Sequence, residues 1–392
     1  MTHFTISRHS LIFGLSYALD IAGKNNLSHS KSTAYLSVLI GREIGMSESD
    51  ILDLYYAALL HDIGISDEHV IKEYKADMKR HCVIGVEMLE KLPLPKSILD
   101  NVLYHHEYND GSGPFHLTWK DIPKASQVIC AASDFDDAFG KTPLYNRELY
   151  LKVCEWLEKR RSLFSEEVAN AFSDLADREH FLLDYFNYET KYALSERAVV
   201  PDDVFYETDD IIKFALCFAD VIDRRSSFTF SHSTGIAGLA KKAAAYLGYD
   251  SKTQCMMYIA GLLHDIGKLH VPPGILHKNG PLTPAERFEI NKHTYYTRKI
   301  LEQVKGFEDI VDIAANHHER LDGAGYPFRI PGDRLTDLEK IMAVCDVYQA
   351  LTEKRPYRDQ LSSEKVWGII DGMAEDMHLD KRLADELKNV FD

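Results

Sequence analysis

The stretch 317–327 reads HHERLDGAGYP, and an earlier stretch, 105–115, reads HHEYNDGSGPF. In both, two adjacent histidines and a glutamate precede a glycine-rich loop. The copies differ at their ends, where Gly325-Tyr326-Pro327 stands opposite Gly113-Pro114-Phe115. A pattern this unusual appearing twice indicates an internal duplication.

Seven polar side chains keep their order in both halves of the chain. His29, His61 and Asp62 recur 203 positions later as His232, His264 and Asp265. His81, His105, His106 and Asp134 recur 212 positions later as His293, His317, His318 and Asp346. The offset grows by nine where the second half carries extra residues around LHVPPGILHKNGPLTP, at 269–284. Because this repeat is too long for a solenoid unit, each copy is predicted to have its own core.

Helical periodicity dominates the sequence, and alternating strand patterns are scarce. The segments 32–45 and 233–248 place apolar residues at helical spacing and stop at Gly45 and Gly248, as helix C-caps do. Thr283 followed by Pro284 is a start signal for another helix. We therefore predict an all-α protein of two tandem helical bundles, residues 1–198 and 199–392. The acidic, proline-marked segment 199–210 marks the boundary.

Length and charge limit the classes of function. The 392 residues suffice for two or three domains, and the formal net charge is −16. Such a surface repels polymeric nucleic acid, which binds basic patches. No apolar run reaches the ~20 residues that span a bilayer, and the N-terminus lacks a signal pattern. With scattered cysteines and no Cys-x-x-Cys pair, we expect a cytoplasmic protein without a membrane partner.

The seven repeated groups are imidazoles and carboxylates, which are the ligand types of borderline or hard divalent metals. No thiolate is among them, which argues against a structural zinc finger. Seven groups exceed the four that one tetrahedral ion takes, but they suit two ions that share a bridge. Adjacent side chains on a helix diverge by about 100°. His264 can therefore serve one ion while the carboxylate of Asp265 reaches between both.

The repeated His-Asp pair, the flanking histidines and the late aspartate resemble the HD superfamily of metal-dependent phosphohydrolases. HDIGK at 264–268, HHERLDGAGYP at 317–327 and RPYR at 355–358 resemble its HD-GYP branch, the bacterial cyclic-dinucleotide phosphodiesterases. The resemblance covers roughly 220–365 and implies an HD-type helical bundle that holds two divalent transition-metal ions, iron or manganese, in the second domain. The implied ligands are His232, His264, Asp265, His293, His317, His318 and Asp346, with Asp265 bridging. Members with three metals carry a glutamate where this chain has Phe228, so the resemblance implies a binuclear site.

The resemblance also implies contacts to substrate. Lys268, one turn along the helix from His264, would meet a phosphate oxygen. Gly325, Tyr326 and Pro327 would form a rigid turn facing the ligand, and Arg355 and Arg358 would bind phosphate or a guanine edge. The implied reaction is attack by a metal-bridging hydroxide on 3′,3′-cyclic GMP-AMP (cGAMP), cyclic di-GMP or both. Its product is a linear dinucleotide. The tandem layout resembles family members that open 3′,3′-cGAMP.

The first copy keeps seven groups that form a candidate second metal site: His29, His61, Asp62, His81, His105, His106 and Asp134. It lacks the substrate groups, because Ile65 replaces the lysine, Gly-Pro-Phe replaces Gly-Tyr-Pro, and the arginine pair is missing. We predict a catalytically weakened domain that serves regulation, homodimer contacts or stability. Two alternatives for the whole chain are a non-catalytic cyclic-dinucleotide receptor and a general HD nucleotidase.

Overall fold

The fold was analysed in a computed structural model. It describes residues 5–23, 28–66, 78–142, 145–187, 197–199, 201, 203–225, 232–353 and 360–391, without the side chains of Ser66 and His232. The chain divides into two compact units: Leu15–Asp203, called the first domain, and Val204–Asp392 together with Met1–Gly14, called the second domain. The boundary between the two units, after Asp203, lies a few residues beyond the predicted boundary between 198 and 199. The grouping of the N-terminal segment with the second domain was not predicted.

The first domain is built from helices. They are α2 (His29–Glu43), α3 (Glu48–Leu60), α4 (Met78–Leu89), α5 (Lys96–Leu103), α6 (Lys124–Phe139), α7 (Arg147–Arg160), α8 (Glu166–Ala176) and α9 (Glu179–Phe186). Short 3₁₀ turns lie at Ile63–Ser66 and Arg161–Leu163. The preceding helix, α1 (Arg8–Gly23), begins in the second domain and ends in the first.

The second domain repeats this plan. Its helices are α10 (Thr208–Asp223), α11 (His232–Tyr246), α12 (Ser251–Leu263), α13 (Pro273–Leu276), α14 (Pro284–Asn291), α15 (His293–Leu301), α16 (Glu308–Ala315), α17 (Asp337–Thr352), α18 (Ser363–Glu375) and α19 (Lys381–Phe391). A 3₁₀ turn covers Ile266–His270. The strands of the described residues, β1 (Ile6–Ser7) and β2 (Phe205–Tyr206), pair antiparallel within this domain.

Corresponding helices pack in the same way in the two domains. In the first, α2 contacts α3 and α6, and α5 contacts α3, α4 and α6. In the second, α11 contacts α12 and α17, and α16 contacts α12, α15 and α17. Each bundle buries its own apolar core, with Leu54 and Val128 fully buried in one and Leu262 and Ile341 in the other. The predicted all-α fold with tandem bundles is confirmed.

Local signals in the sequence also appear in the structure. Gly45 and Gly248, shortly after α2 and α11, have φ of 75° and 80°, the left-handed conformation of a helix C-cap. Thr283 and Glu286 form a reciprocal capping box at the start of α14. The stretch 269–284, in which the second copy carries its extra residues, contains α13 and the first residue of α14. None of the described helices combines the length and apolarity needed to cross a membrane.

The copies change register once more, just before their long central helices. The cap residues ahead of α6 and α17 are Pro123 and Thr336, so these helices begin 213 positions apart, not 212. An aromatic residue 213 positions apart in each of these helices, Phe135 and Tyr348, packs on a tryptophan from a later helix. Phe135 packs edge-on against Trp156 in the first domain, and Tyr348 packs against Trp367 in the second. One residue has therefore been gained or lost in the preceding loop, which changes the pairing of site residues.

Candidate metal centres

In the second domain, three helix ends and one helix interior bring the predicted ligands with described side chains together. His264 caps the end of α12, and Asp265 stands just before the turn Ile266–His270. His293 is the first residue of α15. His317 and His318 follow α16, and Asp346 lies within α17. Because α12 ends at Leu263, the His-Asp pair does not lie on a continuous α-helix, as the sequence had suggested.

The carboxylate of Asp265 lies at the centre of this group. Its Oδ2 is 3.3 Å from Nε2 of His264, and its Oδ1 is 3.4 Å from Nε2 of His293. Asp346 lies further out, 4.0 Å from His264 Nε2 and 3.8 Å from His318 Nδ1. Two sets of donor atoms each lie within 4.8 Å of one another: His293, His317 and His318, and His264, Asp265 and His317. The oxygens of Asp265 thus face different histidines, which is the arrangement a bridging ligand needs.

Backbone carbonyls orient three of these histidines. Nδ1 of His264 lies 2.8 Å from the oxygen of Gly261, that of His293 2.7 Å from Ile290, and that of His317 2.7 Å from Ala314. In each case the carbonyl belongs to the residue three positions earlier. An Nδ1–H that donates to a carbonyl leaves the Nε2 lone pair facing the cluster, as is common for metal-binding histidines. The donor set fits metal binding on this ground.

Burial and charge favour the ligand forms of two central groups. Burial alone would raise the pKa of Asp265, but the charges of Lys268 and His264 hold it well below its usual range. Burial lowers the pKa of His317 to about 4, with a further contribution from His264. An ionised carboxylate and a neutral imidazole are the forms that bind metals.

Two predicted substrate groups lie beside the cluster. Nζ of Lys268 contacts Oδ2 of Asp265. Lys268 belongs to the 3₁₀ turn and not to α12, so its predicted place on the same helix as His264 is wrong. The ring of Tyr326 lies 4.9 Å from that of His318, centroid to centroid. Burial and the nearby carboxylates of Asp346 and Asp265 raise the pKa of Tyr326.

Several predicted positions lie outside the described residues. Arg355, Arg358 and Phe228 are among them, as is the side chain of His232, whose backbone begins α11. Their predicted roles stay predictions.

Gly267 and Thr297 join the His-Asp turn to α15, a role that was not predicted. A Cβ at Gly267 would lie 1.8 Å from the carbonyl oxygen of His293 and 2.5 Å from the nitrogen of Thr297. The hydroxyl of Thr297 donates to the oxygen of His264 at 2.8 Å and accepts from the nitrogen of Gly267 at 3.0 Å. In the first domain, a Cβ at Gly64 would likewise lie 2.0 Å from the carbonyl oxygen of His81. A glycine two residues after the aspartate signals this close approach.

Thr297→Val is expected to weaken metal binding, because Gly267 N–H loses its buried acceptor and the turn that holds Asp265 loosens. Loss of such a supporting contact typically lowers metal affinity by about 10–100-fold. Titration of the full chain with manganese against a competing chelator measures the effect. Thr297→Ser, which keeps the hydroxyl, should restore most of the affinity. Equal affinities of the Val variant and the unmodified chain would contradict this positioning role.

The glutamate that follows each histidine pair holds the next loop. Glu319 is 3% exposed and accepts backbone hydrogen bonds from Phe328 at 2.8 Å and Ile330 at 3.0 Å. Glu107 is 1% exposed and accepts from Phe115 at 2.6 Å and Leu117 at 2.7 Å.

The two loops bind their glutamate in different registers. At an offset of 212, the counterpart of Phe115 is Pro327, which has no N–H to donate. The second loop instead presents the amides one residue later. The residue between the two bound amides has positive φ in both loops, 58° at His116 and 55° at Arg329. This loop is therefore where the offset changes from 212 to 213.

The first domain also gathers its histidines around one carboxylate. Asp62 Oδ1 lies 3.3 Å from His81 Nε2, 3.5 Å from His61 Nε2 and 4.0 Å from His105 Nε2. Asp62 Oδ2 lies 3.6 Å from His29 Nε2. One set of donor atoms within 4.8 Å of one another comprises Asp62, His81, His105 and His106, and a second comprises His29, His61 and Asp62.

Asp134 does not join these sets. Its carboxylate accepts from Arg160 Nη1 at 2.5 Å and from the hydroxyl of Tyr108 at 3.0 Å. The reason is the change of register, because at the offset of 213 the counterpart of Asp346 is Ser133. The hydroxyl of Ser133 lies 3.4 Å from His61 Nε2. The predicted equivalence of Asp134 and Asp346 is therefore corrected.

His29 is oriented by a carboxylate, where His264, His293 and His317 of the second domain are oriented by backbone carbonyls. Its Nδ1 lies 2.7 Å from Asp136 Oδ2. Burial acts to lower the pKa of His29, but the hydrogen bond and charge of Asp136, with the charge of Asp62, raise it to about 10. Without a bound ion, the carboxylates of Asp136 and Asp62 thus favour a protonated His29.

Comparison with known proteins places both bundles among HD domains. Family models described as "HD domain" match residues 26–160 and 217–383. These ranges contain the first and second clusters respectively.

Similar proteins include named phosphodiesterases. The chain is 30% identical over 400 residues to 3'3'-cGAMP-specific phosphodiesterase 1 of Vibrio cholerae, covering 97% of this chain and 91% of the relative. It is 39% identical over 134 residues to a cyclic di-GMP phosphodiesterase of Pseudomonas aeruginosa, covering 33% of this chain and 32% of the relative. A crystal structure of a cyclic GMP-AMP specific phosphodiesterase from V. cholerae has the same fold, with a TM-score of 0.71, 21% identity and coverage of 99% and 98%.

Proposed function

Since the chain belongs to the HD-domain family of cyclic-dinucleotide phosphodiesterases, we propose that its second domain carries the hydrolytic site. The observation that supports this choice is the placement of Lys268. Its ammonium contacts Asp265, whose two oxygens face His264 and His293. The position of this lysine in the first domain is Ile65, which offers no charge to a phosphate.

We propose that two transition-metal ions, iron or manganese, bind in the second domain. The residues that would hold them are His232, His264, Asp265, His293, His317, His318 and Asp346, with Asp265 between the ions. Nitrogen and oxygen donors of this kind suit both metals. When bound, such a pair supplies a strong nucleophile from water near neutral pH and offsets charge on the attacked phosphate.

The chain's own groups bind and orient the substrate. Lys268, with its side chain 23% exposed, would contact a non-bridging phosphate oxygen and stabilise negative charge that develops there. Tyr326, held beside His318 between Gly325 and Pro327, would line the opposite wall. Arg355 and Arg358 would bind the second phosphate or a guanine edge, as planar guanidinium groups do. Hydrolysis of one phosphodiester bond then yields a linear dinucleotide.

Among cyclic dinucleotides, we propose 3′,3′-cGAMP as the preferred substrate and cyclic di-GMP as the second candidate. The relative named as cGAMP-specific is 30% identical over 97% of the chain, whereas a probable cyclic di-GMP phosphodiesterase of V. cholerae is 24% identical over 93%. We also propose a cytoplasmic location, because all six cysteines are free thiols, as in a reducing compartment. The net charge of −16 favours a small substrate over a nucleic-acid polymer.

The proposed function is tested with the purified full-length chain loaded with manganese or with iron(II) under anaerobic conditions. It is incubated separately with 3′,3′-cGAMP, cyclic di-GMP and cyclic di-AMP, and the products are separated by chromatography. We expect a linear dinucleotide, formed fastest from cGAMP. Tight binding of all three without turnover would instead identify a receptor. Faster hydrolysis of mononucleotides would identify a general nucleotidase.

Lys268→Ala is expected to lower kcat by about 10²–10³-fold, the usual cost of removing one electrostatic contact to a transition state. Lys252→Ala, at an exposed position near the start of α12, is the matched control and should keep full activity. Both variants are assayed on the same cyclic dinucleotide. Their metal content is measured as well, because Lys268 also contacts Asp265. A Lys268→Ala protein with normal metal content and normal kcat would contradict the assigned role.

A further inference from the structure

Among its described residues, the first domain has one set of four metal donors, beside the set of three formed by His29, His61 and Asp62. Asp62, His81, His105 and His106 place one donor atom each within 4.8 Å of the others. The three histidines are 0%, 0% and 5% exposed respectively. The Nδ1 atom of His105 lies 2.6 Å from the oxygen of Val102, which turns its Nε2 toward Asp62. Three imidazoles and one carboxylate make up the four ligands of a closed tetrahedral site.

A second ion in this domain would lack the further carboxylate that Asp346 offers in the second domain. In the second domain, Asp346 approaches His264 Nε2 to 4.0 Å. In the first, Ser133 stands at that place, with its hydroxyl 3.4 Å from His61 Nε2 and 3.5 Å from His29 Nε2. A neutral hydroxyl is a much weaker ligand for a divalent ion than a carboxylate.

The carboxylate of Asp134, one position further along α6, forms hydrogen bonds away from the histidines. Asp134 accepts from Arg160 at 2.5 Å and from Tyr108 at 3.0 Å. The side chain of Asp134 is 18% exposed, and a charge-assisted hydrogen bond at such a site resists replacement by a distant ion.

From these contacts we infer that the first domain binds a single divalent transition-metal ion through Asp62, His81, His105 and His106, and that this ion stabilises the bundle without hydrolysing substrate. Four protein ligands complete a tetrahedral shell, whereas a catalytic site keeps a position open for water. The ion connects the turn after α3, the helix α4 and the end of α5. This inference concerns the first domain alone and does not depend on which substrate the second domain accepts.

The inference is tested by counting metal in the full-length chain after manganese or zinc loading and dialysis, using plasma mass spectrometry. We expect one ion fewer in His81→Ala/His105→Ala than in the unmodified chain. His29→Ala should lose none, because His29 is not a ligand of the single ion. An unchanged count in the double variant would overturn the inference. So would loss of two ions in the double variant, or loss of one in His29→Ala.

Spectroscopy and stability give readouts that do not depend on activity. In His264→Ala/His293→Ala loaded with cobalt(II), the first site should be the main cobalt site, and a tetrahedral ion gives intense visible absorption. Weak absorption typical of six-coordinate cobalt would overturn the closed site. In the His264→Ala/His293→Ala background, cobalt should no longer raise the melting temperature once His81→Ala/His105→Ala is added, whereas it should still do so when His29→Ala is added. Equal responses would also overturn the inference. Circular dichroism of each variant checks that it is folded.

Discussion

The variant His264→Ala/Asp265→Ala is expected to lose hydrolysis of the cyclic dinucleotide entirely. Among the described residues, Asp265 is the one carboxylate whose oxygens face both His264 and His293, so its removal takes away the proposed bridge between two ions. Without the ions, neither the nucleophile nor the charge stabilisation is available. We expect a rate below detection, a larger loss than the ~10²–10³-fold typical of one missing electrostatic contact.

The matched variant His61→Ala/Asp62→Ala changes the same two positions of the first domain. Because Ile65 replaces the lysine there, we expect the chemical step to stay intact, with a lower melting temperature from loss of the structural ion. Both proteins are assayed side by side on one substrate, with circular dichroism and metal counts. A dead first-domain variant beside an active second-domain variant would show that the catalytic half has been assigned wrongly.

Gly267→Ala is expected to destabilise the second domain and to reduce its metal content. The new Cβ would lie 1.8 Å from the carbonyl oxygen of His293 and 2.5 Å from the nitrogen of Thr297. Both are backbone atoms, so relief requires α15 to move away from the turn that holds Asp265. Overpacking of this kind typically costs about 1–3 kcal/mol, and we expect the upper end of that range.

Gly238→Ala is the matched control for this substitution. Gly238 lies in α11, and no heavy atom of the described structure lies within 4 Å of a Cβ built there. Alanine in an exposed helix interior should stabilise by roughly 0.5–1 kcal/mol. Urea unfolding and metal analysis compare the two variants. If both gave the same midpoint and the same metal content, the close approach at Gly267 would not be needed for the site.

The sequence was sufficient to predict what depends on local pattern or on a repeated spacing. Helical periodicity predicted the all-α class, and the offset of 203 correctly paired His61 and Asp62 with His264 and Asp265. The pairing of Asp134 with Asp346 was wrong, because a loop that differs by one residue changes which side of α6 faces the histidines. The residues next to Asp134 in the sequence do not indicate this change of register.

Other features depend on contacts between distant residues. Arg160 reaches Asp134 from a different helix, and the hydroxyl of Thr297 reaches His264 from a segment 33 positions away. Glu319 was visible in the HHE pattern, but its partners are backbone amides, which every residue except proline offers. Lys268 was placed one turn along a helix because the sequence alone does not show that α12 ends before His264.

The slipped register between the two copies bears on how a duplicated enzyme domain diverges. Asp134 is still an aspartate, but it lies one residue beyond the position from which Asp346 faces the histidines in the second domain. The carboxylate was therefore displaced without a substitution of the aspartate itself. A step of one residue turns a helix by about 100°. The insertion or deletion of a single codon in the neighbouring loop would therefore be enough to separate the proposed two-ion site from the inferred one-ion site. Searches for inactive copies that look only for missing ligand letters would count this domain as intact.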